Sequence, residues 1–567
     1  MPSTSRTNWV ALGKLYLFFF YFSGVYQFVI LSSGTAGITG IRQSILMSFF
    51  WLIPILLWPR CIRAYTAISG TTFWVVSLLS LGYFAIYKQE FSQSVIFVMF
   101  ETNDAEGSEF IRQYYQWWMI PAAIIYGLPP LWLWFNLRAP KLIFKNSAFL
   151  ASLFLFITIW PAIGPIVQNG NWDQGIRHLQ TRMEPATPWQ LVMGYTKYRQ
   201  QLTEMTALLA QNSQLPPVQN LHDANADKNS TLVLVIGEST NKQRLSLYGY
   251  NRETSPKLST IKDQLLIFNN VFSPRPYTIE VLQQALTFAD QKNPDLYLSK
   301  PNLLNIMKQA GYKTFWITNQ QTMTKRNTML TTFSKQADEQ VYLNNNRNQN
   351  SNSYDEVVVN PFEKALSDSA QKKFIIIHLI GTHMGYDYRY PKEFDHFTTR
   401  EGIPDWLSDG QAKIYNEYDN AVLYNDYVVD SLINKFRSHN PYGLLLYFSD
   451  HGEEVFDFQD RQFNGRSEGN PSSAMYTVPF MVWMSPSWKA DHKTDDFNAY
   501  VNRPYGTSYF IHTWSDLVGI HYDGWEAGKS IVNKEFNSPP ILIGNPDKKN
   551  KALKDVRDLG WVKQTHP

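Results

Sequence analysis

Cysteine is almost missing from this 567-residue chain. Cys61 stands alone, so no internal disulfide can form, and a large exported domain would have to rely on its own core, which its size permits. An excess of charge of either sign is also missing. With 51 Lys and Arg against 48 Asp and Glu, the formal net charge is +3, too small to suggest a nucleic-acid partner through bulk electrostatics. The N-terminus lacks a short apolar leader with a small-residue cleavage site, so the first apolar segment is expected to remain as an anchor. No internal repeat or low-complexity tract is visible. What is present points to two or more domains. The mean hydropathy of -0.28 averages two unlike parts, apolar blocks rich in Phe, Trp, Leu and Ile up to about Val167 and a mixed, polar chain after Asn169.

The apolar part predicts five membrane spans, Val10–Leu31, Ser44–Trp58, Ile68–Tyr87, Trp117–Leu137 and Ser147–Val167. Most approach the ~20 apolar residues that cross a ~30 Å hydrocarbon core, and the second is short. Arg6 and Lys14 at the N-terminal end, Arg60 and Arg63 after the second span, and Arg138, Lys141 and Lys145 after the fourth lie in segments without an acid. The link from Lys88 to Gln116 instead carries Glu90, Glu101, Asp104, Glu106 and Glu109 against Lys88 and Arg112. The positive-inside rule then places the N-terminus and Cys61 in the cytoplasm and, after an odd number of spans, the C-terminal part outside it. Tyr114, Tyr115, Trp117 and Trp118 suit the headgroup region. The expected organisation is an anchor over 1–168, bridging helices and linker over 169–230 with a helical patch at Pro188–Ala210, and an α/β domain over 231–567.

In that last part, strand-like runs at Thr231–Gly237, Lys313–Thr318, Lys373–Ile380, Gly443–Ser449 and Val478–Trp483 alternate with helical stretches such as Ile279–Asp290, Pro301–Ala310 and Ala421–Phe436. The alternation predicts an α/β sandwich with a largely parallel sheet. Three of the runs end in reactive residues: Glu238 after the first, His378 and His383 around Gly381–Thr382, and Asp450–His451–Gly452–Glu453–Glu454. Ligands in open α/β sheets bind beyond the carboxyl ends of the strands. A Glu, an Asp and a His with one open position are the O/N set of a catalytic Zn2+, and Mn2+ would tolerate them too. Any one of them alone reads better as a buried side chain satisfied by backbone. Thr278 follows the extended Pro274–Arg275–Pro276 segment and opens a helical pattern, so it reads as the N-cap of that helix or as a nucleophile, and the two are compatible because a hydroxyl there lies in the helix's positive potential.

IGESTNKQRLSLYGYNRETSP, the PYT segment, HLIGTH and FSDHGEE, in this order behind an apolar anchor, closely resemble the membrane-bound phosphoethanolamine transferases of Gram-negative envelopes, members of the alkaline phosphatase and sulfatase superfamily. YTIEVLQQALTFADQKNPDLYL and WITNQQTMTKRNTML resemble most the branch that modifies a heptose of the lipopolysaccharide core. The resemblance implies a multi-pass protein of the bacterial inner membrane with a periplasmic sulfatase-like domain. It also implies transfer of phosphoethanolamine from phosphatidylethanolamine to lipopolysaccharide through a phosphothreonine-type intermediate, releasing diacylglycerol. By the same resemblance Glu238, Thr278, Asp450 and His451 are zinc ligands, Thr278 is the nucleophile, and His383 is the substrate-site histidine. Asn319, Lys325 and Arg326 are candidate phosphate contacts. Asn464 stands before Gly465 where lipid A enzymes have a second histidine, and the cysteines that bracket their nucleophile segment are missing here. The alternatives are a lipid A transferase, a phosphoglycerol transferase, a sulfatase-like hydrolase, and a non-catalytic envelope scaffold with a structural metal. The hydrolase is disfavoured because the sulfatase Cys/Ser-x-Pro-x-Arg motif is absent. A modified core would weaken binding of cationic peptides, and the sequence leaves the oligomeric state open.

Overall fold

The structure is a computed structural model that describes residues 3–33, 38–87, 117–169, 172–320, 328–344, 354–461, 463–468, 470–492, 494–544, 546 and 553–562. The chain forms two compact units that divide between Leu202 and Thr203, inside the stretch expected to bridge them.

The first unit is helical, with α1 (Ser3–Ser32), α2 (Thr39–Met47), α3 (Ile53–Leu57), α4 (Ile62–Tyr87), α5 (Met119–Phe135), α6 (Phe144–Asn169), α7 (Trp172–Met183) and α8 (Trp189–Ser213), which runs across the division. Its core is aromatic: Phe18, Phe19, Phe22, Phe73 and Phe154 pack with Leu15, Leu52 and Leu137. Large apolar side chains such as Trp132, Phe135, Phe149 and Trp160 also cover the outer face. Helices apolar on both faces suit a hydrocarbon surround. Among the described residues four helical stretches are long and apolar enough to cross a membrane, Asn8–Ser32, Thr39–Leu57, Pro59–Ala85 and Phe144–Gly164. Four of the five expected spans thus have such a stretch. The segment expected at Trp117–Leu137 forms a shorter apolar helix, the 17-residue α5, which contains Pro129 and Pro130 and ends at Phe135. The acidic link from Lys88 to Gln116 lies outside the described residues.

The second unit is built on a seven-stranded sheet. Its strands are β1 (Ser230–Gly237), β2 (Leu265–Ile267), β3 (Lys313–Thr318), β4 (Glu339–Tyr342), β5 (Lys373–His378), β6 (Tyr442–Ser449) and β7 (Phe480–Met484), in the order β2-β7-β6-β1-β5-β3-β4. β6, β1, β5, β3 and β4 run parallel, while β7 pairs antiparallel with both β6 and β2. The sheet is therefore mixed, which corrects the expected largely parallel sheet at the β7 side. β1 lies at the centre and is buried along its whole length, as its unbroken apolar run requires. Leu232, Leu234 and Ile236 point into one core with α9 (Thr278–Ala285) and α12 (Phe510–Leu517), while Val233 and Val235 point into the other with α10 (Val359–Leu366) and α11 (Asp409–Ser438). The period-2 alternation of one strand thus builds both layers of an α/β/α sandwich.

Candidate metal centre

Because β3, β5, β1 and β6 are parallel neighbours, their carboxyl ends open on one crevice, and the chain places Gln320, the 379–383 loop, Glu238 and Asp450–His451 there. Glu238 follows the last residue of β1, and the next residue, Ser239, takes a left-handed backbone with φ 58°. A non-glycine residue in that region is costly and persists where its surroundings hold it. Here Ser239 N–H donates to Asp450 Oδ1 at 3.1 Å and its hydroxyl to Glu238 Oε1 at 2.8 Å. The first of these bonds ties the end of β1 to the end of β6, and the second holds the Glu238 carboxylate.

Glu238, Asp450 and His451 are fully buried and each offers a ligand atom within 4.8 Å of the others. His451 Nε2 lies 3.2 Å from Glu238 Oε1 and 3.4 Å from Asp450 Oδ2. Thr278, the first residue of α9, donates its hydroxyl to Glu238 Oε2 at 2.7 Å and has Oγ1 3.4 Å from His451 Nε2. Tyr277, with extended backbone, occupies the N-cap position, so Thr278 is free of the capping role that the sequence left open for it. The set is three oxygens and one imidazole nitrogen around a common point. Asp450 Oδ2 accepts no hydrogen bond, although it is buried, and such an orphaned carboxylate oxygen marks a place for a cation. These residues suit a zinc ion.

The electrostatics agree with a cation-requiring cluster. Burial pushes the Asp450 carboxyl up to about 7, with the charge of Glu238 adding to the effect. Burial would raise Glu238 too, but the charge and hydrogen bond of His451 outweigh it and hold Glu238 well below the usual carboxylate range. The cluster cannot carry both carboxylates ionised at low cost without a neighbouring positive charge.

The segment leading into Thr278 lacks a disulfide but is held by hydrogen bonds. Gln291 Nε2 donates to Pro274 O and Gly544 O, each at 2.8 Å, Ser273 N–H donates to Tyr476 O at 2.8 Å, and Arg275 pairs with Glu468.

On the opposite side Asp355 shapes the loop that carries His383. Its carboxylate accepts from Ile380 N–H at 2.9 Å, Gly381 N–H at 2.8 Å and Asn319 Nδ2 at 2.9 Å. Thr382 N–H then donates to Glu238 O at 3.0 Å. Gly381 has φ 53°, and a Cβ there would stand 2.6 Å from Glu238 O and 2.8 Å from Glu238 N. Burial, opposed by the charge of Glu238, lowers the His383 imidazole to about 4, so it is neutral near pH 7.

Of the other expected contacts, Asn319 donates to Asp355 inside the protein, and Asn464 Oδ1 accepts from Tyr386 O–H at 3.1 Å. Lys325 and Arg326 lie outside the described residues. His378 is buried beneath the site, with neither ring nitrogen hydrogen-bonded. Sequence reasoning did not find Gln320, whose Nε2 donates to Glu238 Oε2 at 3.1 Å and to Leu379 O at 2.8 Å, nor Asp355 or Arg466. Gln320 sits two residues past the end of β3, and that position is the one signal that could have marked it.

The sulfatase family model matches residues 230–520. Over 564 residues the chain is 50% identical to phosphoethanolamine transferase EptC of Escherichia coli (strain K12), covering 98% of this chain and 97% of that protein. The same identity and coverage hold for phosphoethanolamine transferase CptA of Salmonella typhimurium. Among solved structures, the C-terminal periplasmic domain of EcEptC from Escherichia coli in complex with Zn matches with a TM-score of 0.59 and 54% identity. The match covers 60% of this chain and 97% of that one.

Proposed function

This chain belongs to the phosphoethanolamine transferases of the sulfatase family, and on that premise we propose that it moves phosphoethanolamine from phosphatidylethanolamine to a core heptose of lipopolysaccharide, by way of Thr278. The observation that carries the reading is the placement of the Thr278 hydroxyl 2.7 Å from Glu238 within a buried O3N donor set. Glu238, Asp450, His451 and Thr278 Oγ1 would hold a zinc ion, which when bound supplies a Lewis acid that lowers the hydroxyl's pKa and offsets phosphoryl charge.

Thr278 is aimed by the first turn of α9, and its proton lies on the bond to Glu238. Attack of Oγ1 on phosphorus forms the Thr278–phosphorus bond and breaks the bond to the glycerol oxygen. That oxygen takes a proton and leaves as diacylglycerol. The acceptor hydroxyl then attacks the same phosphorus, surrenders its proton, and restores Thr278. Neutral His383, on the Asp355-braced loop, suits the acceptance of that proton. The N-terminal helices, with α5 counted as a crossing beside the four longer stretches, would anchor residues 1–168 in the inner membrane and place 231–567 in the periplasm. This arrangement keeps donor, acceptor and site at one surface. An added ethanolamine would offset phosphate charge on the core and weaken cationic-peptide binding.

The test is mass spectrometry of core oligosaccharide from a deletion strain complemented with wild type or Thr278→Ala. A phosphoethanolamine increment on the core, restored by wild type alone, is expected. An unchanged core overturns the heptose assignment, and an increment on lipid A moves the acceptor.

A further inference from the structure

Arg466 stands one residue past the short strand Asn464–Gly465 and belongs to no expected ligand set. Its side chain is 14% exposed and turned inward, with NH1 2.8 Å from His451 Nε2 and 3.5 Å from Glu238 Oε1. His451 Nδ1 faces Gly452 O at 2.9 Å, which leaves Nε2 as the ring atom turned to the cluster. Arg466 NH1 therefore stands against the one nitrogen through which His451 could ligate a metal. A guanidinium and a metal ion cannot both sit against that nitrogen.

A second observation concerns Glu453. It is fully buried, and neither carboxylate oxygen has a hydrogen-bond partner, yet Oε1 is only 3.8 Å from Arg466 Nε. A buried carboxylate left in this condition is expensive. It is a ready-made second partner for the same guanidinium, just beyond bonding distance.

We propose that Arg466 is an exchangeable cation of the metal centre: it holds His451 and Glu238 when the metal is away, and passes to Glu453 and a phosphoryl oxygen of the substrate when the metal is in place. Arginine suits both positions because its planar fork has five donors that can face a carboxylate and a phosphate together. Glu453 is the positioning residue of this exchange. The inference rests on the zinc transferase reading above and adds that one residue of this chain competes with the metal it later works beside.

The test is zinc affinity of the purified full chain, by competition with a chromophoric chelator in phosphate-free buffer. Arg466→Gln removes the competing cation and is expected to tighten zinc by about tenfold, while Glu453→Gln removes the alternative partner and weakens it by a similar factor. In the double variant the Glu453→Gln effect is expected to vanish, which separates a role through Arg466 from the general field of a carboxylate. Inorganic phosphate binding to the zinc-loaded Arg466→Gln protein is expected to fall by about tenfold. If the Gln variant does not fold, Arg466→Met, which keeps much of the apolar stem and removes the charge, is expected to shift both affinities in the same directions. An Arg466→Gln protein that binds zinc no tighter than wild type, or a double variant that keeps the full Glu453→Gln effect, overturns the exchange. Unchanged phosphate binding overturns the second position. A wild type that binds no zinc overturns the metal reading together with it.

Discussion

Thr278 Oγ1 lies 2.7 Å from Glu238 Oε2, so the hydroxyl at the start of α9 meets the carboxylate at the end of the central strand. Two elements 40 residues apart in sequence are thus joined at this hydroxyl. Thr278→Val keeps the shape and removes the hydroxyl. Phosphoethanolamine transfer, followed as diacylglycerol release, is expected to fall by about 10³-fold or more, with a stability change of about 1 kcal/mol or less. Thr278→Ser is expected to retain measurable turnover. Equal loss in both would point to a structural role.

Gly381 lets the His383 loop pass against Glu238. A side chain there would meet Glu238 O at 2.6 Å in a backbone region that L-residues avoid. Gly381→Ala is therefore expected to push the loop from β1, weaken zinc binding, and lower the unfolding midpoint of the full chain by an amount equivalent to about 1–3 kcal/mol. An unshifted midpoint together with wild-type zinc affinity would contradict the close approach.

Asp426 caps the short helix Pro256–Thr260 from α11, accepting from Lys257 N–H at 2.8 Å and Leu258 N–H at 2.9 Å. Burial raises its carboxyl from 3.8 to about 7. Its folded pKa exceeds the unfolded value, so the folded state binds the extra proton between them. This stabilising contribution is complete below about 4 and is lost as pH rises to about 7. The stability difference between wild type and Asp426→Asn, measured by denaturant titration at several pH values, is expected to decline over that window. A difference that is flat or grows with pH would contradict this.

Much of this architecture is legible in the sequence where one interaction dominates. The run at β1 is apolar throughout because both faces are covered, and Lys313–Thr318 is a strand over the residues expected. α11 is harder to read. It begins at Asp409, not Ala421, because its first half buries Asn416, Asp419 and Asn420. Asp419 is buried between Arg244 and Arg252, partners more than 160 residues away, so no local apolar period announces that face. The direction of β7 is a tertiary property that composition does not carry. Glu238, Asp450 and His451 could be found because strand ends in parallel sheets converge. Gln320 and Arg466 reach that cluster through Glu238 and His451, Asp355 only braces the loop at Ile380 and Gly381, and nothing in their own neighbourhoods marks them.

The central claim is that phosphoethanolamine rests on Thr278 between donor and acceptor. The full chain, purified with zinc and incubated with phosphatidylethanolamine in the absence of lipopolysaccharide, is digested and analysed by peptide mass spectrometry. The peptide containing Thr278 is expected to gain one phosphoethanolamine, to lose it when lipopolysaccharide is added, and to remain unmodified in Thr278→Val. Diacylglycerol release on adding lipopolysaccharide, with no modified Thr278 peptide at any time, would contradict the account.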